Sequence, residues 1–568
     1  MPKLTVGTDD FQEMRREGGY FVDKSMLVRE VIGGSKCLLL PRPRRFGKTL
    51  NLSMLRYFFE KSEQTRRELF EGLRITEDAD AMQHQGRYPV ISLSLKSVRA
   101  HTWADARNKL GKKIADLYLA YDELEDTLPK IHRSAFRDIC EGTADDPTLH
   151  ASLANLISYL HDYHGEPVIV LLDEYDTPII QAWEHGYYDE MIEFMRCWLG
   201  EGLKHEDGSA LYRAVVTGIL RVARESIFSG LNNLVTWTTL RSGPFADKFG
   251  FTQPEVDKLL SDFDARQLAE PINEWYNGYS FGGTTIYNPW SVVNCVLQGP
   301  DSIGPQWLNT ASNQLVYDEL EAGGLSIQRD IENMLMGEEL RYPISESIVF
   351  ADIGRRTQSI WTFLYFSGYL RADDPERNPL DETEKLWRLN IPNLEVSIAY
   401  RQFVNRIYAD ALPDGVKSLL NCFTKDRAAE DFEHVLQELV LSLVSHHDVA
   451  RRPEAVFHAF VLGLLANLRR VYEIQSNAEC GYGRADIIMR PKTERYPLGY
   501  VIEFKSVDEG ADLETALDDA LRQIDARDYP ARLRSAGVAP ENIRRLAVVL
   551  CGEKLRVRRA PPAGRPTA

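Results

Sequence analysis

The sequence predicts an α/β protein of several domains: a parallel-sheet domain first, a mostly helical middle region, and a second α/β domain before a short tail. Three observations carry this. Four short, nearly continuous apolar runs, KCLLL (36–40), YPVISLSL (88–95), PVIVLLD (167–173) and LYRAVVTG (211–218), alternate with helical pattern in the first half, as a sheet covered on both faces requires. In the last quarter two helical segments precede the strands VYEIQS, RADIIMR and GYVIEFKS, the helix DLETALDDALRQIDARDY and a last strand, RLAVVLC. A chain of 568 residues is also too long for one core. The boundaries expected are 1–285, 286–429 and 430–555, with 556–568, a Pro- and Arg-rich tail, expected to be disordered.

Composition narrows the function classes. Hydrophobic content of 44% with 27% charged residues is that of a soluble globular protein. A net charge of −17 excludes a particle that holds polyanions by its overall charge, so nucleic-acid contact requires a local basic surface or metal ions. The seven cysteines stand singly with no CxxC pair, against a disulfide framework or zinc site. The N-terminus has no apolar core of signal length and no run approaches membrane-spanning length, so a cytoplasmic protein without membrane association is expected.

In the middle region, TQSIWTFLYFSGYL (357–370) reads as a helix stopped by Gly368. A polar hairpin-like stretch, ADDPERNPLDETEK, and a strand, LWRLNI, follow. That order suggests a winged-helix element; a helical linker with one hairpin fits the pattern equally.

KCLLLPRPRRFGKTLNLSML is a strand, a loop and a helix opening at Gly47-Lys48-Thr49. A P-loop uses backbone amides and the helix N-terminus to cradle phosphates, a Lys to reach the β/γ oxygens and a Ser/Thr hydroxyl to bind Mg²⁺. Lys48 and Thr49 fill those roles. The general GxxxxGK[ST] pattern puts a glycine where this chain has Arg42, and Arg42, Arg44 and Arg45 make the loop cationic, which suits a polyphosphate. PVIVLLDEYD ends an apolar strand in Asp173-Glu174, where Asp173 would hold Mg²⁺ and Glu174 would polarise the attacking water. Either signal alone is weak; both together, each at the C-terminal end of a parallel strand, are strong. RAVVTG places Thr217 as a γ-phosphate sensor. Arg221 and Arg224 beyond it are candidate sensing or finger arginines, or members of a solvated helix face.

These stretches, with FVDKS (21–25) and VTGILRVARESIFSGLNNL, resemble the AAA-ATPase-like domain of bacterial and archaeal proteins, related to STAND-type and archaeal P-loop ATPases. The resemblance covers roughly the first 280 residues. It implies that Arg42, Arg44, Arg45, Phe46, Gly47, Lys48 and Thr49, with Asp173, Thr217 and Arg221, bind ATP and Mg²⁺. That family's loop also reads RPRRFGK, so Arg42 departs only from the general pattern.

VIEFKS (501–506) puts a carboxylate and an ammonium into a core strand. Alternation places Glu503 and Lys505 on one face and Ile502 and Phe504 on the other. RADIIMR carries Asp486 one hairpin upstream, beside Glu503. Two converging carboxylates repel unless a cation lies between them, and a hard divalent ion fits. Lys505 would orient the attacking water and stabilise the transition state. A structural ion pair on a half-exposed strand is the plainer alternative, and the further polar positions tell against it. Glu454 lies on the preceding helix with His458 one turn on, and Gln523 lies on the following helix. The segment resembles PD-(D/E)xK nucleases found C-terminal to such ATPases, over roughly the last 120 residues. The resemblance implies a restriction-endonuclease-like fold, Asp486, Glu503, Lys505 and Gln523 as catalytic, Glu454, Asp486 and Glu503 as metal ligands for Mg²⁺ or Mn²⁺, and Glu479 and Arg484 as further polar positions. Ala485 stands where the family name has proline.

The expectation is an ATP-binding, ATP-hydrolysing protein whose nucleotide state regulates metal-dependent cutting of nucleic acid, DNA by analogy, in defence or mobile-element biology. The alternative is an ATP-driven switch whose nuclease-like domain only binds nucleic acid or a partner. A homo-oligomer is left open.

Overall fold

The computed structural model describes residues 3–62, 66–204, 209–221, 227–228, 231, 233–307, 316, 320, 324–346, 357–379, 381–409, 415–446, 461, 465, 468, 471–480, 483–507, 510–551 and 554–561. The chain divides into two compact units, Met1–Asn313 with Arg341–Glu395, and Gln314–Leu340 with Val396–Ala568. The middle region therefore does not stand alone: its parts pack with one unit or the other.

The first unit is built on a five-stranded sheet of β1 (Cys37–Pro41), β2 (Val90–Ser94), β3 (Val168–Asp173), β4 (Leu211–Gly218) and β5 (Leu234–Thr236), in the order β2-β3-β4-β1-β5. Among the described residues its strands pair in parallel throughout. β1 and β3 are buried along their whole lengths, which is why their sequences read as unbroken apolar runs. β4 lies between them, so β1, β3 and β4 bring their C-terminal ends to one edge of the sheet. The helix Lys48–Phe59 starts directly behind β1. Gly47, at φ +81°, supplies the left-handed turn from loop into helix, a conformation that costs a residue with a Cβ. Leu52, Leu55, Phe58 and Phe59 bury the helix's inner face.

β6 (Tyr279–Phe281) and β7 (Thr284–Ile286) pair antiparallel as a small separate sheet. The helix Thr357–Phe366 is followed by a longer antiparallel hairpin, β9 (Arg371–Asn378) and β10 (Asp381–Asn390), which β8 (Leu340–Pro343) completes in the order β8-β10-β9. The polar stretch 372–385, expected to be hairpin-like, supplies most of β9 and the first half of β10.

The second unit carries a mixed sheet of β11 (Tyr472–Cys480), β12 (Gly483–Pro491), β13 (Gly499–Val507), β14 (Ile543–Cys551) and β15 (Lys554–Arg559), in that order. β11, β12 and β13 pair antiparallel, β13 and β14 parallel, and β14 and β15 antiparallel. The helix Leu513–Ala526 lies over β13 and β14, packing Leu517, Ala520 and Ile524 against Val501, Ala547 and Val549. β15 corrects one expectation: residues 556–559 belong to a strand rather than a disordered tail. Leu555 and Val557 turn into the core, while Arg556 and Arg558 find Glu433 and Asp518. Among the described residues no helix is long and apolar enough to cross a membrane.

Candidate functional site

Two sites follow, one in each unit. In the first, the edge where β1, β3 and β4 end gathers the expected residues around Asp173, itself only 4% exposed. Thr49 Oγ1 donates to Asp173 Oδ2 at 2.6 Å and Thr217 Oγ1 donates to Oδ1 at 2.6 Å, so one carboxylate ties the start of the helix Lys48–Phe59, β3 and β4 together. Lys48 is buried, and its Nζ donates to the carbonyls of Arg42 and Pro43, both at 2.9 Å. Burial lowers the pKa of this ammonium, opposed by Asp173, Glu174 and Asp176. Glu174 holds the left-handed φ of +51°, uncommon for a residue with a side chain, and accepts from Thr177 Oγ1 at 3.0 Å.

A cavity of about 410 Å³ opens beside the loop. Arg44 to Thr49 and Glu174 line one part of it, and residues 4–9, Phe21, Phe251 and Trp290 line another. Arg45, at φ +69°, lays its guanidinium over the Trp290 ring at 4.0 Å, a cation–π contact. The cavity pairs cationic and amide groups with an apolar, aromatic wall, a combination that could take a nucleotide's phosphates and base.

Arg42 departs from the expectation. It is fully buried, outside the cavity, and donates to the carbonyls of Pro41 at 2.8 Å, Trp237 at 2.7 Å and Phe245 at 3.2 Å. Phe249 and Phe281 lie at 5.1 and 5.3 Å from its guanidinium carbon. Burial lowers its pKa to about 9. The guanidinium braces the loop from behind, because three carbonyls and two rings claim it. Arg221 is likewise turned away: it pairs with Glu346 at 3.6 Å, which also takes Arg241 at 2.6 Å. Arg224 lies outside the described residues.

Asp176, the last residue of the DEYD run, had no assigned role. It is 1% exposed, and its Oδ2 accepts from the amides of Ile219 and Leu220, both at 2.8 Å, holding the chain just beyond Thr217. Burial raises its pKa to about 6, against those two amides and Lys48. A Cβ at Gly218 would stand 2.5 Å from Asp176 Oδ1, so only glycine fits there. A second acid three residues after Asp173 was the available signal, but nothing local tells a buried brace from a surface carboxylate. Nor does local pattern place residues 4–9 or Trp290 on the cavity wall.

In the second unit, Ile487 pairs with Ile502, which puts Asp486 next to Glu503 at the following step of the hairpin. The Phe504 amide donates to Asp486 Oδ2 at 2.7 Å. Gln523 bridges the remaining groups: its Nε2 donates to Glu503 Oε1 and its Oε1 accepts from Lys505 Nζ at 3.1 Å. Glu503 is 3% exposed, and its Oε2 is buried without a hydrogen-bond partner. Burial first, and then Asp486, raise its pKa to about 8, with Lys505 opposing. A buried carboxylate oxygen left without a donor, beside a second carboxylate, is a donor set that a hard divalent cation fits. Among the described residues no group of three or more His, Cys, Asp or Glu is placed to hold a metal. Glu454 and His458 lie outside those residues. Glu479 and Arg484 stand opposite each other in the β11–β12 register. Tyr529, overlooked in the sequence, is buried and shares a 3.2 Å hydrogen bond with Gln523 Nε2.

Comparison with known proteins matches a stretch at each end of the chain to a family. Residues 5–228 match the family described as "Predicted AAA-ATPase", and residues 452–560 match the PD-(D/E)XK nuclease superfamily. The chain is also 26% identical over 401 residues to the "Uncharacterized protein in vnfD 5'region" of Azotobacter chroococcum mcd 1, covering 70% of this chain and 69% of that protein.

Proposed function

For a chain that carries an N-terminal AAA-ATPase-like domain and a C-terminal PD-(D/E)XK nuclease superfamily domain, we propose a nucleotide-regulated nuclease that hydrolyses phosphodiester bonds, with DNA as the substrate. ATP bound and turned over in the first unit sets the activity of the second. The observation that carries the reading is the buried, unpartnered Oε2 of Glu503 beside Asp486, with Lys505 tethered to the same carboxylate through Gln523.

Each residue has a task that its surroundings support. Asp486 and Glu503 would hold a divalent cation, which when bound supplies a polarised phosphate oxygen and a more acidic water. Lys505 orients the water and counters the charge that grows on the phosphate oxygens. Gln523 fixes Lys505 and Glu503 relative to each other, and the Phe504 amide fixes Asp486. In the first unit, Lys48 would exchange two carbonyls for nucleotide oxygens, Thr49 and Asp173 would hold Mg²⁺, and Glu174 would polarise water for hydrolysis. Thr217 reports on Asp173, and Arg44 and Arg45 supply positive charge at the cavity.

The test is a cleavage assay on single- and double-stranded DNA, with an RNA control, in Mg²⁺ or Mn²⁺ with and without ATP. Lys505→Ala should lower cleavage by roughly 10²–10³-fold, and Lys48→Ala should abolish the response to ATP. ATP hydrolysis without cutting of DNA or RNA under any metal would replace this reading with that of a nucleotide switch.

A further inference from the structure

The helix Leu513–Ala526 that delivers Gln523 ends in a Schellman-type cap. Asp528 takes a left-handed φ of +49°, the Tyr529 amide donates to the Ile524 carbonyl at 3.1 Å, and the Asp528 amide donates to Asp525 at 3.2 Å. The cap folds the Tyr529 ring back onto Ile524 in the core. It leaves Arg527, the C-cap residue, exposed and near enough to the nuclease-like site for its charge to act on Glu503. Arg527 Nη1 donates to Tyr529 Oη at 3.4 Å, and Tyr529 shares its hydroxyl with Gln523, which bridges Glu503 and Lys505. Arg527 thus stands two hydrogen bonds from the residue that organises the site.

The charges around it explain why it matters. The arginines of β14 and β15 sit on acids: Arg544 and Arg559 on Asp426, Arg545 on Asp525, Arg556 on Glu433 and Arg558 on Asp518. Arg522, on the same helix as Gln523, sits on Asp519. The acid adjoining Arg527, Asp528, is taken by both oxygens to Arg534 at 2.6 Å. Arg527 alone among these has no carboxylate partner within the described residues; its side-chain bond is to a phenol. Its charge also favours the ionised form of Glu503. A helix C-terminus repels anions, so a phosphate approaching there needs a cation to offset the carbonyl ends.

We infer that Arg527 takes a backbone phosphate of the nucleic acid that enters the Asp486–Glu503–Lys505 site; the inference rests on the nuclease reading. A guanidinium fork suits two phosphate oxygens. In a chain of net charge −17, an unneutralised arginine at the site supplies attraction that the whole molecule does not.

The experiment uses the full chain with a DNA duplex and a single strand. Cleavage is measured in Mg²⁺, and binding in Ca²⁺ over a series of salt concentrations. Arg527→Ala should raise KM and Kd about tenfold with kcat within about twofold, and the log–log salt slope should fall by about one phosphate contact, ~0.7–0.9. Arg527→Lys should recover part of the affinity, and Arg522→Ala should match the wild type. Tyr529→Phe removes the phenol that Arg527 holds and should leave the salt slope unchanged. If Arg527→Ala keeps wild-type KM, Kd and slope while Lys505→Ala is inactive, the inference fails and the nuclease reading stands. A fall in kcat at unchanged slope would make Arg527 a brace for Tyr529 and would also overturn it. A wild type that neither binds nor cuts nucleic acid overturns both.

Discussion

The two sites hold buried charge differently. Around the phosphate-loop site each charged group is held by several internal hydrogen bonds, with only Arg42 Nε and Asp176 Oδ1, among the described residues, buried without a partner. Both oxygens of Asp173 accept hydroxyls, Lys48 Nζ has two carbonyls, and Arg42 has three. Around β13 the balance is left open, with Glu503 Oε2 unpartnered and its carboxyl's pKa raised to about 8. The first site is built as part of its unit's core, so a ligand must displace existing bonds. The second carries an unbalanced carboxylate that a cation would relieve. Damage to the first should cost stability, whereas neutralising the second should add it.

The largest effect expected is at Arg42. Arg42→Ala removes the donor from two buried carbonyls and one part-buried carbonyl and leaves a void between Phe249 and Phe281, a loss of about 4 kcal/mol. Arg42→Gly, which restores the general loop pattern, should be at least as harmful. Thermal unfolding of the full chain should show the transition of the first unit lowered and that of the second unmoved. An Arg42→Ala protein as stable as the wild type would break the comparison on its first side.

Glu503→Gln tests the other side. The native pKa of about 8 lies above the ordinary value of 4.5, so the carboxyl destabilises the fold when ionised. That penalty is absent below pH 4.5 and complete above pH 8. In chelator, Glu503→Gln should therefore gain on the order of 3 kcal/mol near pH 8.5, after a discount for screening, and nothing near pH 4.5. Added Mg²⁺ or Mn²⁺ should stabilise the wild type and not the variant. Equal stability of the two proteins across this range would show that the carboxylate is not under stress.

Asp176 sharpens the contrast, being the strained acid of the otherwise satisfied site. Its pKa of about 6, against an ordinary 3.8, gives a penalty absent below pH 4 and complete above pH 6. Asp176→Asn can still accept from the Ile219 and Leu220 amides, so it should gain about 2 kcal/mol at pH 7 and none at pH 3.5, read from denaturant midpoints. A loss at pH 7 would mean that the ionised form is needed to hold those amides.

Much of this was legible in the residue order because it is local. Nearly continuous apolar runs mark β1 to β4, Gly47-Lys48-Thr49 marks a loop entering a helix, and the alternation of VIEFKS puts Glu503 and Lys505 on one face. β5 was missed because three residues make too short a run. β15 was missed because its arginines resemble a solvated tail until Glu433, Asp518 and Asp426 are seen beside them. The fate of Arg42 could not be read locally. Trp237, Phe245, Phe249 and Phe281, distant in sequence, decide that this arginine is a brace and its neighbours Arg44 and Arg45 are cavity-lining. Distant contacts likewise explain Asp176, whereas Tyr529 matters through the turn that folds it back beside Gln523.

The fit between Gly218 and Asp176 has a historical consequence. A methyl at position 218 would meet Asp176 Oδ1 at 2.5 Å and Tyr175 Cδ1 at 2.8 Å, so position 218 cannot vary independently of the two residues that face it. In any lineage descended from this chain, position 176 must shorten and the ring at 175 must give way before position 218 can acquire a side chain. Gly218→Ala should be tolerated better in an Asp176→Ala background than alone, and better still once Tyr175→Ala is added. The three residues form a ratchet, in which the glycine is the last to change.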